Sequence, residues 1–298
     1  MIKPIVKWPG GKTRLLPHLL ARLPVLGSRA RYFEPFAGGA ALFFALGPAR
    51  AVLGDANADL IACYRSVAED VDGVIALLEH LTVDHSKENY YRLRAEWNGR
   101  LFDADPTARA AVLLYLNRAC FNGLWRVNQS GALNSPFGDG RPVRIDLDNL
   151  RGAAAVLRRA DLLSGDFRET VADARRGDVV YFDPPYVPAS DTANFTGYTA
   201  GGFGTEEQCW LARLARQLTE RGVHVLVSNS DTALTREIYA GFRIDRVRCD
   251  RRIAASAGRR GKVDEIVAVG FPRAVGGAQL ELSHAAATAT PSPQEGSQ

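Results

Sequence analysis

Residues 31–55 read RYFEPFAGGAALFFALGPARAVLGD. Arg31–Phe36 has the aromatic density of a strand, and Ala37-Gly38-Gly39 is a turn built from small residues. Ala40–Leu46 follows as a short helix, and Ala51–Leu53 as a second strand closed by Gly54-Asp55. That order starts a βαβ unit. The pattern returns downstream. Asp178–Phe182 (DVVYF) is a compact apolar strand that ends in Asp183-Pro184-Pro185-Tyr186. Thr205-Glu206-Glu207-Gln208 has the form of a capping box. It opens a helix with Leu211, Leu214, Ala215 and Leu218 on one face, and Gly222 stops that helix. His224–Val227 is the next buried strand. Strand–helix–strand order in both halves predicts a mostly parallel, Rossmann-like α/β sheet.

Between the halves the pattern changes. Residues 63–162 carry helical periodicity (Val71, Val74, Leu77, Leu78, Leu81, then Ala110, Leu113, Leu114, Leu116) and a glycine- and asparagine-rich stretch, Phe121–Gly140. This predicts an inserted, mostly helical domain carrying a hairpin or loop. Residues 1–62 and 163–273 then form the sheet domain. The tail, 274–298, is small, polar and proline-bearing, the composition of a disordered segment.

With 46% apolar and 23% charged residues, the 298-residue chain is neither fibrous nor wholly disordered. Its four cysteines form no CxxC pair and its five histidines no HxxxH pair, which argues against a disulfide framework and a metal hydrolase. No apolar run approaches the ~18 residues of a membrane span. A reduced, cytoplasmic protein without membrane or metal is expected. The net charge of +4 is concentrated. Residues 1–33 hold seven Lys/Arg before the first acid, Glu34, and residues 243–262 hold eight against Asp245 and Asp250. Two basic blocks at opposite ends of a fold suit a polyanion cleft.

The DPPY tetrapeptide lies at a strand's carboxyl end, where open α/β sheets bind ligands. Its prolines fix φ and donate no hydrogen bond. The result is a stiff display of acceptors, the Asp183 carboxylate and the Pro184 carbonyl, beside the Tyr186 ring. Those features suit a planar base with an exocyclic amine. Accepting both amine hydrogens localises the nitrogen lone pair and makes it nucleophilic. The Phe36–Gly39 turn, with Asp55 17 positions after Gly38, follows the nucleoside-binding logic of doubly wound folds. It is not GxGxxG, which points to a nucleoside without phosphates, such as S-adenosylmethionine. Gly10-Gly11-Lys12-Thr13 ends like a P-loop, but Val6 stands where the first glycine belongs.

Taken together the motifs resemble the Dam-type, site-specific DNA adenine-N6 methyltransferases. They run in order as KWPGGK (7–12), FEPFAGGAALF (33–43), DANADLI (55–61), LNRACFNGLWRVNQSGALNSPFG (116–138), YFDPPY (181–186), TANFTGY (192–198), SNSDTALTREIY (228–239) and RGKVDE (260–265). The resemblance implies a methyltransferase sheet with an inserted DNA target-recognition domain at 63–162. It implies S-adenosylmethionine as cofactor, held by Trp8, Lys12, Phe36, Gly38, Asp55 and Asp183. Asp183, Pro184 and Tyr186 become the catalytic residues, with Tyr186 stacking on a flipped adenine. For the double-stranded DNA, Lys7 reads the first guanine of GATC, Leu124 and Arg126 the outer base pair, and Phe121 inserts into the duplex. Asn117 and Arg118 belong to the motif preceding that hairpin.

Two departures stand out. The hairpin tip Val127–Ser130 is less basic than in many relatives, and Asp139 stands where relatives often carry a phosphate-contacting arginine, a role open to Arg141. The alternatives are a cytosine-N4 methyltransferase, which typically has Ser in place of Asp183, and a DNA-binding protein without catalysis, against which Asp183 and Asp55 argue. A solitary enzyme and a restriction–modification role both fit. In the second, a restriction endonuclease is a functional rather than physical partner.

Overall fold

In a computed structural model the structure describes residues 1–188, 203–250 and 262–272. The N-terminal segment carries the short helix α1 (Leu16–Leu20). The βαβ start follows as β1 (Tyr32–Glu34), α2 (Ala41–Leu46) and β2 (Ala51–Asp55). The helical stretch comprises α3 (Ala58–Glu69), α4 (Val71–Val83), α5 (Lys87–Asn98), α6 (Pro106–Ala119) and α7 (Leu147–Leu157). Then come β3 (Ala160–Ser164), α8 (Phe167–Thr170), β4 (Val179–Phe182), α9 (Thr205–Glu220), β5 (His224–Ser230), α10 (Ala233–Ile238), β6 (Arg243–Asp250) and β7 (Lys262–Gly270).

The strands form a seven-stranded sheet in the order β3-β2-β1-β4-β5-β7-β6. The first five run parallel, as the sequence predicts. The last two do not: β7 is antiparallel to β5 and to β6. Strand order reverses between β1 and β4, whose following strands lie on opposite sides of the sheet. Tyr32 pairs with Val179 and Phe33 with Val180 across that junction.

Side chains alternate across the sheet as strand geometry requires. Tyr32, Leu53, Tyr181 and Leu226 face one core, with α2, α3 and the helical stretch packed on it. Phe33, Val52, Val180, Phe182 and Val225 face the other, against α9. The first core continues from the sheet into α4, α5 and α6 without a break. The divisions expected at 62/63 and 162/163 fall inside α3 and β3, so secondary structure runs across both. The tail 274–298, the motif 192–198 and residues 251–261 lie outside the described residues.

The helical stretch is specified by its caps. Asn57, Asp70, Ser86, Asp105 and Asp146 each accept a backbone N–H in the first turn of α3 to α7. At α9 the cap differs from the expected box. Thr205 is the first helical residue, and the Glu207 carboxylate reaches back to the Gly204 N–H at 2.7 Å. Among the described residues no helix is long and apolar enough to cross a membrane.

Asp105 caps α6 through the Ala108 N–H at 2.9 Å and is exposed. Asp105→Ala is expected to lower stability by ~1 kcal/mol. In urea unfolding this reads as a lower midpoint with an unchanged slope; a changed slope would mean that the substitution alters more than the cap.

Candidate active site

The β1/β4 junction brings two loops to one crevice. After β4, Asp183 receives Ser228 Oγ–H at 2.7 Å and lies 3.0 Å from the Lys12 ammonium. Both contacts fall on Oδ1. The Asp183 side chain is 18% exposed. Burial pushes its carboxyl above the usual range, and Lys12 and Ser228 pull it back. The Lys12 ammonium also sits 4.3 Å from the centre of the Tyr186 ring, a cation–π contact. Tyr186 donates its O–H to Glu265 at 3.0 Å. The proline pair is held from α9 and β5. Gln208 Nε2 donates to the Pro185 carbonyl at 2.7 Å, and the Val187 N–H donates to Asn229 Oδ1 at 3.0 Å. Asn229 Nδ2 in turn donates to Gln208 Oε1 at 3.0 Å.

After β1, Gly38 has φ +46°, and a Cβ there would lie 3.0 Å from Cδ1 of Trp8. Its N–H donates to Asp55 Oδ2 at 2.8 Å, and Asn57 N–H donates to Oδ1 at 2.8 Å. Asp55 therefore braces the glycine turn, and its burial raises its carboxyl pKa. Phe36 stacks on Phe167 at 5.2 Å and meets Phe203 edge-on at 5.6 Å. Sequence reasoning missed these two partners. The signal for Phe167 was Gly165-Asp166-Phe167 directly after β3, at the carboxyl edge of the sheet.

The N-terminal segment joins the crevice to the hairpin. Asn117 has no exposed surface. Its carboxamide receives the Lys7 N–H and donates to the Lys7 carbonyl, both at 2.8 Å. Arg118 donates to the Ile5 carbonyl at 3.1 Å, and burial lowers its pKa. These two residues, expected beside DNA, hold the backbone of the segment carrying Lys7. Lys7 itself is exposed, its stem lying against Gly123. The hairpin closes through the Cys120–Phe137 and Val127–Leu133 bridges. Phe121 is 51% exposed at its base. Arg126 is exposed and donates to Asn134 Oδ1 at 2.9 Å, while Leu124 is half-buried. Arg141 is drawn to Asp139 at 3.1 Å rather than standing alone.

The basic blocks also differ from expectation. They meet: Arg22 of the first pairs with Asp245 within the second at 2.7 Å. Arg31 pairs with Asp178, Arg243 with Asp245, and Arg246 with Asp231 and Asp264. Much of this charge is neutralised locally. Arg251, Arg252, Arg259 and Arg260 lie outside the described residues.

A further titratable group lies beneath the site. Glu34, 2% exposed, receives Tyr32 O–H at 2.7 Å and Phe43 N–H at 3.1 Å. Burial, helped by the nearby Asp183 charge, pushes its carboxyl up to about 8.

A family model described as D12 class N6 adenine-specific DNA methyltransferase matches residues 8–253. The chain is 39% identical over 274 residues to the type II methyltransferase M1.LlaDCHI of Lactococcus lactis subsp. cremoris, covering 91% of this chain and 96% of that one. It is 38% identical over 272 residues to the DNA adenine methylase of Escherichia coli K12, with the same coverage of each. It is 36% identical over 275 residues to the type II methyltransferase M.MjaIII of Methanocaldococcus jannaschii, covering 87% and 95%.

Glu34 yields a pH test. Its folded pKa lies above the unfolded value, so its contribution is complete below about pH 4.5 and is lost as pH rises through about 8. Unfolding measured across that window is expected to show a falling contribution to wild-type stability, and Glu34→Gln is expected to flatten the fall. Identical slopes in the two proteins would remove Glu34 as its source.

Proposed function

The chain belongs to the D12 class of N6 adenine-specific DNA methyltransferases, and from that premise we propose how its crevice works. The protein transfers a methyl group from S-adenosylmethionine to N6 of adenine in double-stranded DNA. The residues fit such a cofactor. A glycine turn whose Cβ would meet Trp8, the Asp55 carboxylate and the Phe36 aromatic group make a cradle for a nucleoside without phosphates. Trp8, Lys12, Phe36, Gly38, Asp55 and Asp183 are proposed to hold it. When bound, it supplies an electrophilic methyl group on a sulfonium.

The observation that carries the mechanism is the Asp183 carboxylate fixed beside the Tyr186 ring at the strand-order reversal. Asp183 and the Pro184 carbonyl accept the two N6 hydrogens of the target adenine, which localises its lone pair. Tyr186 stacks on the extruded base. Extrusion costs a few kcal/mol, and Phe121, exposed at the hairpin base, supports it by entering the stack.

The target is proposed to be GATC. Lys7 touches the first guanine, and Leu124 and Arg126 the outer base pair. The contact of the Lys7 stem with Gly123 supports this grouping, because it sets Lys7 beside the hairpin. Asn117 and Arg118 contribute by anchoring the Lys7 segment. The parts of 63–162 that meet DNA are the hairpin and the helices carrying it. The enzyme is proposed to act on DNA in the cytoplasm.

Removing the acceptor is expected to stop transfer. Asp183→Ala should lose ~10²-fold or more in kcat at saturating cofactor, and near-native turnover would sink the assignment. Asp55→Ala is expected to weaken S-adenosylmethionine binding by ~1–3 kcal/mol in calorimetry; unchanged affinity would leave Asp55 only its bracing of the glycine turn. Initial rates on GATC and its single-base variants test recognition. Arg126→Ala is expected to relax choice at an outer base pair by ~1–3 kcal/mol. An equal loss on every sequence would make Arg126 a phosphate clamp instead.

A further inference from the structure

We propose that Ser228, backed by Tyr181, is a positioning residue for methyl transfer: it fixes the Asp183 carboxylate so that Oδ2 is the oxygen offered to the base amine. The proposal rests on Asp183 being the N6 acceptor.

Ser228 lies on β5, next to the strand that delivers Asp183. Phe182 pairs with Val227, so Ser228 stands level with Asp183 one residue on. Its hydroxyl is 2.7 Å from Asp183 Oδ1, and Tyr181 OH is 2.9 Å from Ser228 Oγ. Proton counting sets the direction. Each hydroxyl has a single hydrogen. A carboxylate only accepts, so the Ser228 hydrogen goes to Asp183. Tyr181 must then donate to Ser228. Burial and the Asp183 charge hold the Tyr181 phenol well above its ordinary pKa, so it keeps that hydrogen. Ser228 has no exposed surface and Tyr181 is 1% exposed, so water does not compete for either bond.

Two donors reach Oδ1, and they differ in kind. The Lys12 ammonium lies over the Tyr186 ring, the surface on which a target base would stack. A base entering on that face displaces it. Ser228 is built into a central strand and stays. It is therefore the donor that keeps the carboxylate oriented and ionised as the base arrives. A hydrogen bond of this kind, O–H to a carboxylate, is among the stronger ones and needs no reorganisation during the reaction.

The test is steady-state methylation of duplex DNA by wild type, Ser228→Ala, Tyr181→Phe and Asp183→Ala. Ser228→Ala is expected to lower kcat roughly ten- to hundred-fold, the effect of losing one hydrogen bond to a charged group. KM for DNA and the calorimetric affinity for S-adenosylmethionine are expected to change by less than about three-fold. Tyr181→Phe is expected to lower kcat several-fold, in the same pattern. A near-native kcat in Ser228→Ala, or a loss confined to KM, overturns the proposal. Should Ser228→Ala not fold, an unchanged kcat in Tyr181→Phe overturns it instead, since that substitution removes a single oxygen. If Asp183→Ala itself remains active, the reading of the acceptor fails first. If Asp183→Ala is dead while Ser228→Ala turns over normally, only the positioning role fails.

Discussion

The parallel pairing of β1 with β4 is the constraint on which the crevice depends. The chain leaves β1 toward β2 on one side and leaves β4 toward β5 on the other. The strand order reverses there, so the Phe36–Gly39 turn and the Asp183–Tyr186 corner, at the carboxyl ends of neighbouring strands, lie side by side. Everything chemical is then built by bracing these two loops. Asp55 and Tyr64 hold Gly38 by its N–H and its carbonyl. Gln208, Asn229 and Ser228 hold the proline corner from the next strand and helix. A shift of one residue in the β1–β4 register would part the glycine turn from the carboxylate by one strand rise, ~3.3 Å.

The second organising device is polar. Two asparagines treat the N-terminal segment as a missing strand. Asn149 pairs with the N–H and carbonyl of Lys3, and Asn117 does the same for Lys7. Each carboxamide offers one acceptor and one donor, the pattern of a peptide group. Arg118 adds a bond to Ile5 between them. An irregular chain is thereby fixed against α6 and α7 without joining the sheet. Trp8 and Lys12, which follow directly, inherit their positions at the crevice.

Much of this was legible before any coordinates. Strands β1, β2, β4 and β5, the DPPY corner and the helical insert announce themselves through local residue choice, because each is decided by neighbours within a few positions; β3, at the end of the helical stretch, went unread. What escaped is what depends on distant partners. The β6–β7 pair reads poorly, since Arg243, Asp245, Arg246 and Arg248 look like solvated charge; the pairing of Arg243 with Asp245, of Arg246 with Asp231 and Asp264, and of Arg248 with Asp264 is visible only in space. Asn117 looks like a polar contact residue because its partner, a backbone group, has no sequence identity at all. The start of α9 was misplaced by one residue because the cap comes from Glu207 rather than from a hydroxyl. Ser228 opens the 228–239 motif, but its contact with Asp183 is set by the neighbouring strand and is visible only in space.

Gly123 carries one more consequence. Any Cβ there would overlap the stem of Lys7, and its φ of +66° lies in the left-handed region that favours glycine. The recognition hairpin and the amino-terminal segment are therefore keyed to each other like parts cut to a common template. A side chain at position 123 would require the Lys7 stem to move, so the hairpin and the amino-terminal segment fit each other as they stand. Residues 7 and 123 share one space, although 116 positions separate them in the chain.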